Sequence, residues 1–223
     1  MVRIEKSQWL PQTYCEAREF HDVIRSPESG YQGLGPKEKD KLRQFQVARG
    51  EVLRTLGHHQ EFSLVMRFDG SIGWIPSGVL TVRPEIRELS VPQLPRMSSE
   101  EFFQKWLGVQ YVWGGVSEQG IDCSGFTQLY YLQVLGTVLP KNSHDQKKWG
   151  HDRTMESLQD HDLIFCFRKD KVGTHHVVIY YQGNCWHARR SKGVVAQSVA
   201  EFVVEFNVVA VRQILPVSRP QEF

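Results

Sequence analysis

Two halves of different character predict a small all-β domain followed by an α+β domain. Runs rich in β-branched residues, divided by turn formers, fill residues 47–80; helix signals at 98–135 precede strand-like runs at 162–215. Between the halves, Pro84, Pro92 and Pro95 forbid a continuous helix or central strand. The expected division is 1–81 for the first domain, 82–96 for a linker and 97–223 for the second domain.

The chain of 223 residues has enough material for two cores. Apolar residues at 40% and charged residues at 23% are ordinary for a globular protein. A formal charge of +2 gives no reason to expect nucleic acid as a partner. No stretch approaches the roughly 20 apolar residues that span a bilayer, so no membrane insertion is expected. Met1 to Ser7 contains no apolar signal core, and the expected location is cytoplasmic, with secretion by another route left open. Cys15, Cys123, Cys166 and Cys185 form no CxxC pair. They are expected to be free thiols rather than zinc ligands or a disulfide scaffold. No metal or cofactor is expected; His58-His59 beside Gly57 is better read as a solvated turn.

Val47–Leu56 and Phe62–Phe68 read as strands, and Asp69-Gly70 as a hairpin turn. Residues 25–45 read as a long loop with a helical turn near Lys37–Phe45. The stretch Ile72 to Leu80, with Gly73-Trp74 before an apolar residue and a turn, resembles the closing strands of an SH3-like barrel. The plainer reading is a β-hairpin with a core tryptophan. In the second half, Ser98 and Glu101 form a capping box for a helix with Phe102, Phe103 and Trp106 on its apolar face. A second helix is expected from Cys123 to Leu135, stopped by Gly136. Strands follow at Asp162–Arg168, His175–Gln182, Cys185–Ala188 and Val208–Leu215.

The chemistry concentrates around Tyr111-Val112-Trp113-Gly114-Gly115 and Gly120-Ile121-Asp122-Cys123-Ser124-Gly125. A tight turn delivers Cys123 into the first turn of a helix, where unpaired N–H groups favour a thiolate and lower its pKa. The same N–H groups suit an oxyanion. A buried structural cysteine is the competing reading. A thiolate nucleophile needs an imidazole partner, and His175-His176 opens the strand Val177 to Tyr180. Only one of the two histidines can face the thiol. His187 on the next strand is a candidate to orient the first imidazole. With Gly183-Asn184 as the turn, His187 falls opposite Tyr180 and on the same face as His176. It is then four residues away, roughly 13 Å at 3.3 Å per residue, too far for a hydrogen bond.

These residues, with Trp186-His187-Ala188 and Pro140-Lys141-Asn142-Ser143, resemble the NlpC/p60 family of cell-wall cysteine peptidases over about 97–215. An upstream SH3-like domain is a common partner in that family. The resemblance implies a papain-like catalytic domain with Cys123 as nucleophile, His176 as base and His187 as the orienting third member. It implies that Tyr111 polarises the substrate carbonyl, that Asp122 and Ser124 contact the substrate peptide, and that Ser143 and His175 line the pocket. It also implies peptidoglycan stem peptides or muropeptides as partners, cut between D-glutamate (through its γ-carboxyl) and a diamino acid. Related intracellular enzymes carry a tyrosine two positions before the Gly-Trp pair, where this chain has Ser71. Two other readings compete. Asn184-Cys185 suggests a permuted papain-like acyltransferase with Cys185 as nucleophile, and a peptidase fold can also serve as a non-catalytic binding module.

Overall fold

The computed structural model describes residues 4–27, 30–170 and 175–215. The outermost ends of both expected domains, 1–3 and 216–223, lie outside these residues. The chain divides into two compact units, Met1–Gln93 with Val112–Ser117, and Leu94–Tyr111 with Glu118–Phe223.

The first unit contains β1 (Thr13–Ala17), β2 (His21–Ile24), α1 (Pro36–Leu42), β3 (Arg43–Val47), β4 (Val52–His59), β5 (Phe62–Met66), β6 (Ile72–Pro76) and β7 (Leu80–Val82), with the two-residue strand β8 (Val116–Ser117). The main strands form one antiparallel sheet of order β3-β2-β6-β5-β4-β1-β7. The expected barrel is therefore open, because β3 and β7 end the sheet without pairing. β7 spans only three residues and bonds to β1, while the Gln46 side chain on β3 accepts from Val116 N–H at 3.3 Å. Inside, Val23, Phe45, Val47, Leu53, Val65 and Ile75 are buried. Trp74 packs in a second cluster with Ile24, Leu56 and Phe62. The expected loop at 25–45 is shorter than read. Pro36 starts α1 at a position where its missing N–H costs nothing, and Arg43 already begins a strand.

In the second unit, α2 (Ser99–Trp106) carries the expected capping box, with Glu101 N–H bonded to Ser98 Oγ at 3.2 Å. After β9 (Gly120–Ile121), α3 (Cys123–Tyr130) continues as a π-type turn to Leu135 and stops at Gly136, whose φ is +68°. The remaining elements are α4 (Ser143–Gln146), β10 (His151–Arg153), β11 (Leu163–Arg168), β12 (His176–Tyr181), β13 (Asn184–Arg189), β14 (Gly193–Ser198), α5 (Val199–Glu205) and β15 (Phe206–Gln213). Their antiparallel sheet has the order β10-β15-β11-β12-β13-β14. The strand alternation splits its side chains cleanly. Leu163, Phe165, Val177, Ile179 and Ala188 pack with Phe102, Phe103, Phe126 and Tyr130 of α2 and α3. Ile164, Cys166, Val178 and Cys185 pack with Phe202 and Phe206 on the other face.

One turn sets the geometry of the site. β12 and β13 pair Ile179 with Trp186, Tyr180 with Cys185 and Tyr181 with Asn184. The turn is thus Gln182-Gly183, not Gly183-Asn184. Both residues have positive φ, 45° and 78°, as a type I′ hairpin requires. Moving the turn by one residue shifts cross-strand partners by two, so the facing side is kept while the offset of His176 from His187 falls from four residues to two. Gln182→Val forces a β-branched residue into the left-handed region, which only this register asks of position 182, and is expected to lower unfolding stability by about 1–2 kcal/mol. A urea titration that shows no change in midpoint would contradict this register.

Candidate active site

Asp122 begins α3. Its φ of −95° and ψ of 173° are extended, and its Oδ1 accepts from Gly125 N–H at 2.6 Å and from Ser124 Oγ at 3.0 Å. A cap of this kind stabilises a helix by about 1 kcal/mol, and here it also fixes where Cys123 emerges. Lys141 Nζ lies 3.3 Å from Asp122 Oδ2 and 3.5 Å from Ser124 Oγ, with its side chain only 5% exposed. Gln146 of α4 donates to Ser124 O at 3.1 Å and Pro140 O at 2.9 Å, and accepts from Thr127 Oγ1 at 2.8 Å. The segment 140–146 therefore locks the start of α3 from the side. Asp122 and Ser124 were expected to touch substrate. Both are buried, and these contacts hold the helix start.

Cys123 is 8% exposed and packs in the core between α2, α3 and the sheet. Backbone N–H groups of Val177 and Ser124 reach its thiol. Val177 directly follows His176, so the thiol sits at the start of β12. Burial, then the Asp122 carboxylate, push the thiol pKa up to about 12, against the two N–H groups and the Lys141 ammonium. The lowered pKa expected from the helix start is thus corrected, because loss of water around the sulfur outweighs the helix dipole.

His176 and His187 meet directly, Nε2 to Nδ1 at 2.8 Å. The His176 ring stacks on Phe206 at 5.7 Å and 19°. His187 is fully buried against Phe202 and Phe206. Burial, then the Arg189 charge, bring His176 down to about 4. Burial, then His176 and Arg189, hold His187 well below the ordinary histidine range. At neutral pH the thiol and both imidazoles are therefore uncharged.

Tyr111 bridges to Ile121, just before the cap, and is half-buried. Burial, then Cys123 and Asp122, raise its hydroxyl pKa, so it stays a neutral donor. The Arg190 guanidinium lies 5.7 Å above its ring. His175 is exposed and lies 6.1 Å, ring to ring, from His144 of α4, which begins at Ser143. Sequence reasoning passed over Lys141 as an ion-pair partner, Arg190 as a neighbour of Tyr111, and His144. Only Lys141 had a signal, its place in the quoted Pro140–Ser143 segment. Cys185 lies at 0% exposure in β13 within an apolar cluster, and burial pushes its thiol up to about 12. It lies within a strand rather than at a helix start. All four cysteines are free. Among the described residues no cluster of three or more His, Cys, Asp or Glu is placed to hold a metal, and no helix is long and apolar enough to cross a membrane.

A cysteine at a helix start, backed by a histidine pair on an antiparallel sheet, defines a papain-like thiol site. Residues 108–213 match the NlpC/P60 family model, so the chain contains an NlpC/P60 family domain. Over 100 residues it is 37% identical to murein DD-endopeptidase MepS/murein LD-carboxypeptidase of Escherichia coli (strain K12), covering 44% of this chain and 52% of that protein. Over 223 aligned residues it is 28% identical to γ-D-glutamyl-L-lysine dipeptidyl-peptidase of Bacillus cereus, covering 93% of this chain and 64% of that one. It is 31% identical to the crystal structure of the NlpC/p60 domain of the peptidoglycan hydrolase SagA, covering 52% of this chain and 95% of that one, with a TM-score of 0.44. The chain spans about half the length of the first of these relatives.

The thiol–imidazole pair carries the same number of protons whether neutral or charge-separated, so its reactivity is flat between its two apparent pKa values. Burial holds His176 near 4, so its imidazole stays unprotonated through mildly acid pH. Iodoacetamide alkylation of Cys123 is therefore expected to hold its rate from pH 8 to about 5 and to fall only toward pH 4, outpacing Cys15, Cys166 and Cys185 throughout. An acid limb centred on the ordinary histidine value of about 6.5 would contradict the burial argument. Lys141→Met leaves the Asp122 carboxylate without its ammonium and is expected to destabilise the fold by about 3 kcal/mol, with Lys141→Arg losing less. Equal denaturation midpoints for wild type and the Met variant would refute the role of this buried pair.

Proposed function

We propose that this chain is a cysteine peptidase that hydrolyses the γ-D-glutamyl–diamino acid amide of peptidoglycan stem peptides. The observation that carries the reading is the direct His176–His187 contact, with the N–H of the next residue, Val177, reaching the Cys123 thiol at a helix start. Cys123 Sγ attacks the amide carbonyl as its proton passes to His176. Tyr111 and the N–H groups at the start of α3 hold the oxyanion. His176 then protonates the leaving amine and the C–N bond breaks, leaving a thioester. Water attacks that thioester with His176 as base, freeing the γ-carboxyl and the thiol. His187 keeps the His176 ring in place throughout.

The choice of bond is supported by the printed name of the Bacillus cereus relative, a γ-D-glutamyl-L-lysine dipeptidyl-peptidase. The murein endopeptidase name of the Escherichia coli relative supports the wider substrate class. Ser71 stands where related intracellular enzymes carry a tyrosine, so we expect acceptance of stems beyond those with a free N-terminal alanine. We also read the first unit as SH3-like. Support comes from Trp74, buried at 2%, and from the single helical turn Ser77–Val79 between β6 and β7.

The test is a digest of defined tripeptide, tetrapeptide and disaccharide-linked stems followed by mass spectrometry. Cleavage on the carboxyl side of D-glutamate is expected, with Cys123→Ala falling at least about 10³-fold while keeping its fold. Retained cleavage in that variant would remove Cys123 from the chemistry. Binding of stems by wild type without cleavage would favour a non-catalytic module.

A further inference from the structure

His187 touches His176 through Nδ1, and its other ring nitrogen, Nε2, is a buried polar atom with no aligned hydrogen-bond partner among the described residues. Gln197 Oε1 is a second such atom. The two belong together by register. β13 and β14 pair His187 with Val195 and Cys185 with Gln197, so His187 and Gln197 are diagonal neighbours on the same face of the sheet. The orientation of the Gln197 amide is fixed from its other end. Its Nε2 lies 2.6 Å from Glu205 Oε1, and a carboxylate only accepts, so the amide must present its NH₂ there and its oxygen elsewhere. Glu205 is held in turn by Arg189, with Nη2 to Oε2 at 2.6 Å and Nη1 to Oε1 at 3.3 Å.

We propose that Gln197, anchored by Glu205, is a positioning residue that fixes the tautomer of His187 and, through it, that of His176. The inference rests on the reading of Cys123 and His176 as the working pair. If His187 Nε2–H donates to Gln197 Oε1, then His187 Nδ1 carries the lone pair and accepts from His176 Nε2–H. His176 Nδ1 is then the unprotonated nitrogen, free to take the Cys123 proton. The opposite tautomer of His187 would donate from Nδ1, force the proton of His176 onto its Nδ1 and leave Cys123 without a base. The Gln197 contact works against burial to raise the basicity of His187. The loose alignment of the pair in the free protein fits a bond that tightens as charge develops on His176. The chain then runs from His176 through His187 and Gln197 to the Glu205 carboxylate, so every donor points away from the forming imidazolium and toward that negative charge. No proton leaves His176 along it. The charged and titratable groups around His187 are His176 on β12, Arg189 on its own strand, Lys192 before β14, and Glu205 at the end of α5.

Two readouts test this without any peptidoglycan fragment. In ¹⁵N-histidine-labelled full-length protein, long-range ¹H–¹⁵N spectra are expected to show His187 protonated at Nε2 and bare at Nδ1. Protonation at Nδ1 in the wild type would overturn the proposal with no variant needed. In Gln197→Leu, His187 is expected to become a tautomer mixture and Cys123 alkylation at pH 7 to slow by about 10- to 100-fold, the range for removing an outer partner of a working histidine. Gln197→Asn keeps both an amide oxygen for Nε2–H and an NH₂ for Glu205 on a shorter arm and is expected to restore part of the rate. An unchanged tautomer and alkylation rate in a folded Gln197→Leu would also overturn it. Normal alkylation in a wild type that leaves every stem uncut would defeat the substrate reading while leaving the relay intact.

Discussion

The 2.8 Å contact between His176 and His187 depends on where the chain turns between β12 and β13. A hairpin's register is a discrete variable, since moving the turn by one residue moves every cross-strand pair by two. Only with Gln182-Gly183 at the apex do the two imidazoles become diagonal neighbours. The same register carries Val177 to the thiol, and the next hairpin brings Gln197 diagonal to His187. Phe202 and Phe206 then bury the His187 ring, and Phe206 stacks on the His176 ring, which stays part-exposed. The site is thus a consequence of sheet register more than of any single strong bond.

Exclusion of water decides the character of the chemistry. A thiol near a helix start in water would be partly ionised, but here desolvation outweighs the dipole and the resting pair is neutral. The nearest fixed charges balance, with Asp122 raising the thiol pKa and Lys141, 3.3 Å from Asp122, lowering it. A buried carboxylate beside a nucleophile would otherwise oppose ionisation strongly. The helix cap is therefore also an electrostatic device, and its two roles explain why a carboxylate and an ammonium are both kept out of solvent at this point.

Features written in local sequence were legible. Ser98 and Glu101 specify the start of α2, Gly136 the end of the helix after Cys123, and the glycines and Asp122 the delivery of the nucleophile. The resemblance to NlpC/p60 peptidases rested on Tyr111 to Gly115, Asp122 to Gly125, Pro140 to Ser143, His176 to Tyr180 and Trp186 to Ala188. Features that depend on pairing across strands were not legible. Nothing local distinguishes Gln182-Gly183 from Gly183-Asn184 as the turn, because Gly183 serves both. β14 and α5 escaped notice because Gly193–Ser198 shows no period-2 alternation of apolar and polar residues and Val199–Glu205 is short. With them went Gln197 and Glu205. In the first unit, the Gly73-Trp74 signal found the buried tryptophan, but whether the sheet closes depends on its end strands, where β3 and β7 remain apart.

The most direct measurement of the central claim is the mass of the acyl-enzyme. A tripeptide with a γ-D-glutamyl–diamino acid bond, mixed with the protein and acid-quenched within a turnover, should leave an adduct equal to the acyl part of the peptide. Proteolytic mapping should place that adduct on Cys123 as a thioester cleaved by hydroxylamine. An adduct on Cys166 or Cys185, or product release with no thioester at any quench time, would contradict the account of a neutral, buried Cys123 activated by the His176–His187 pair.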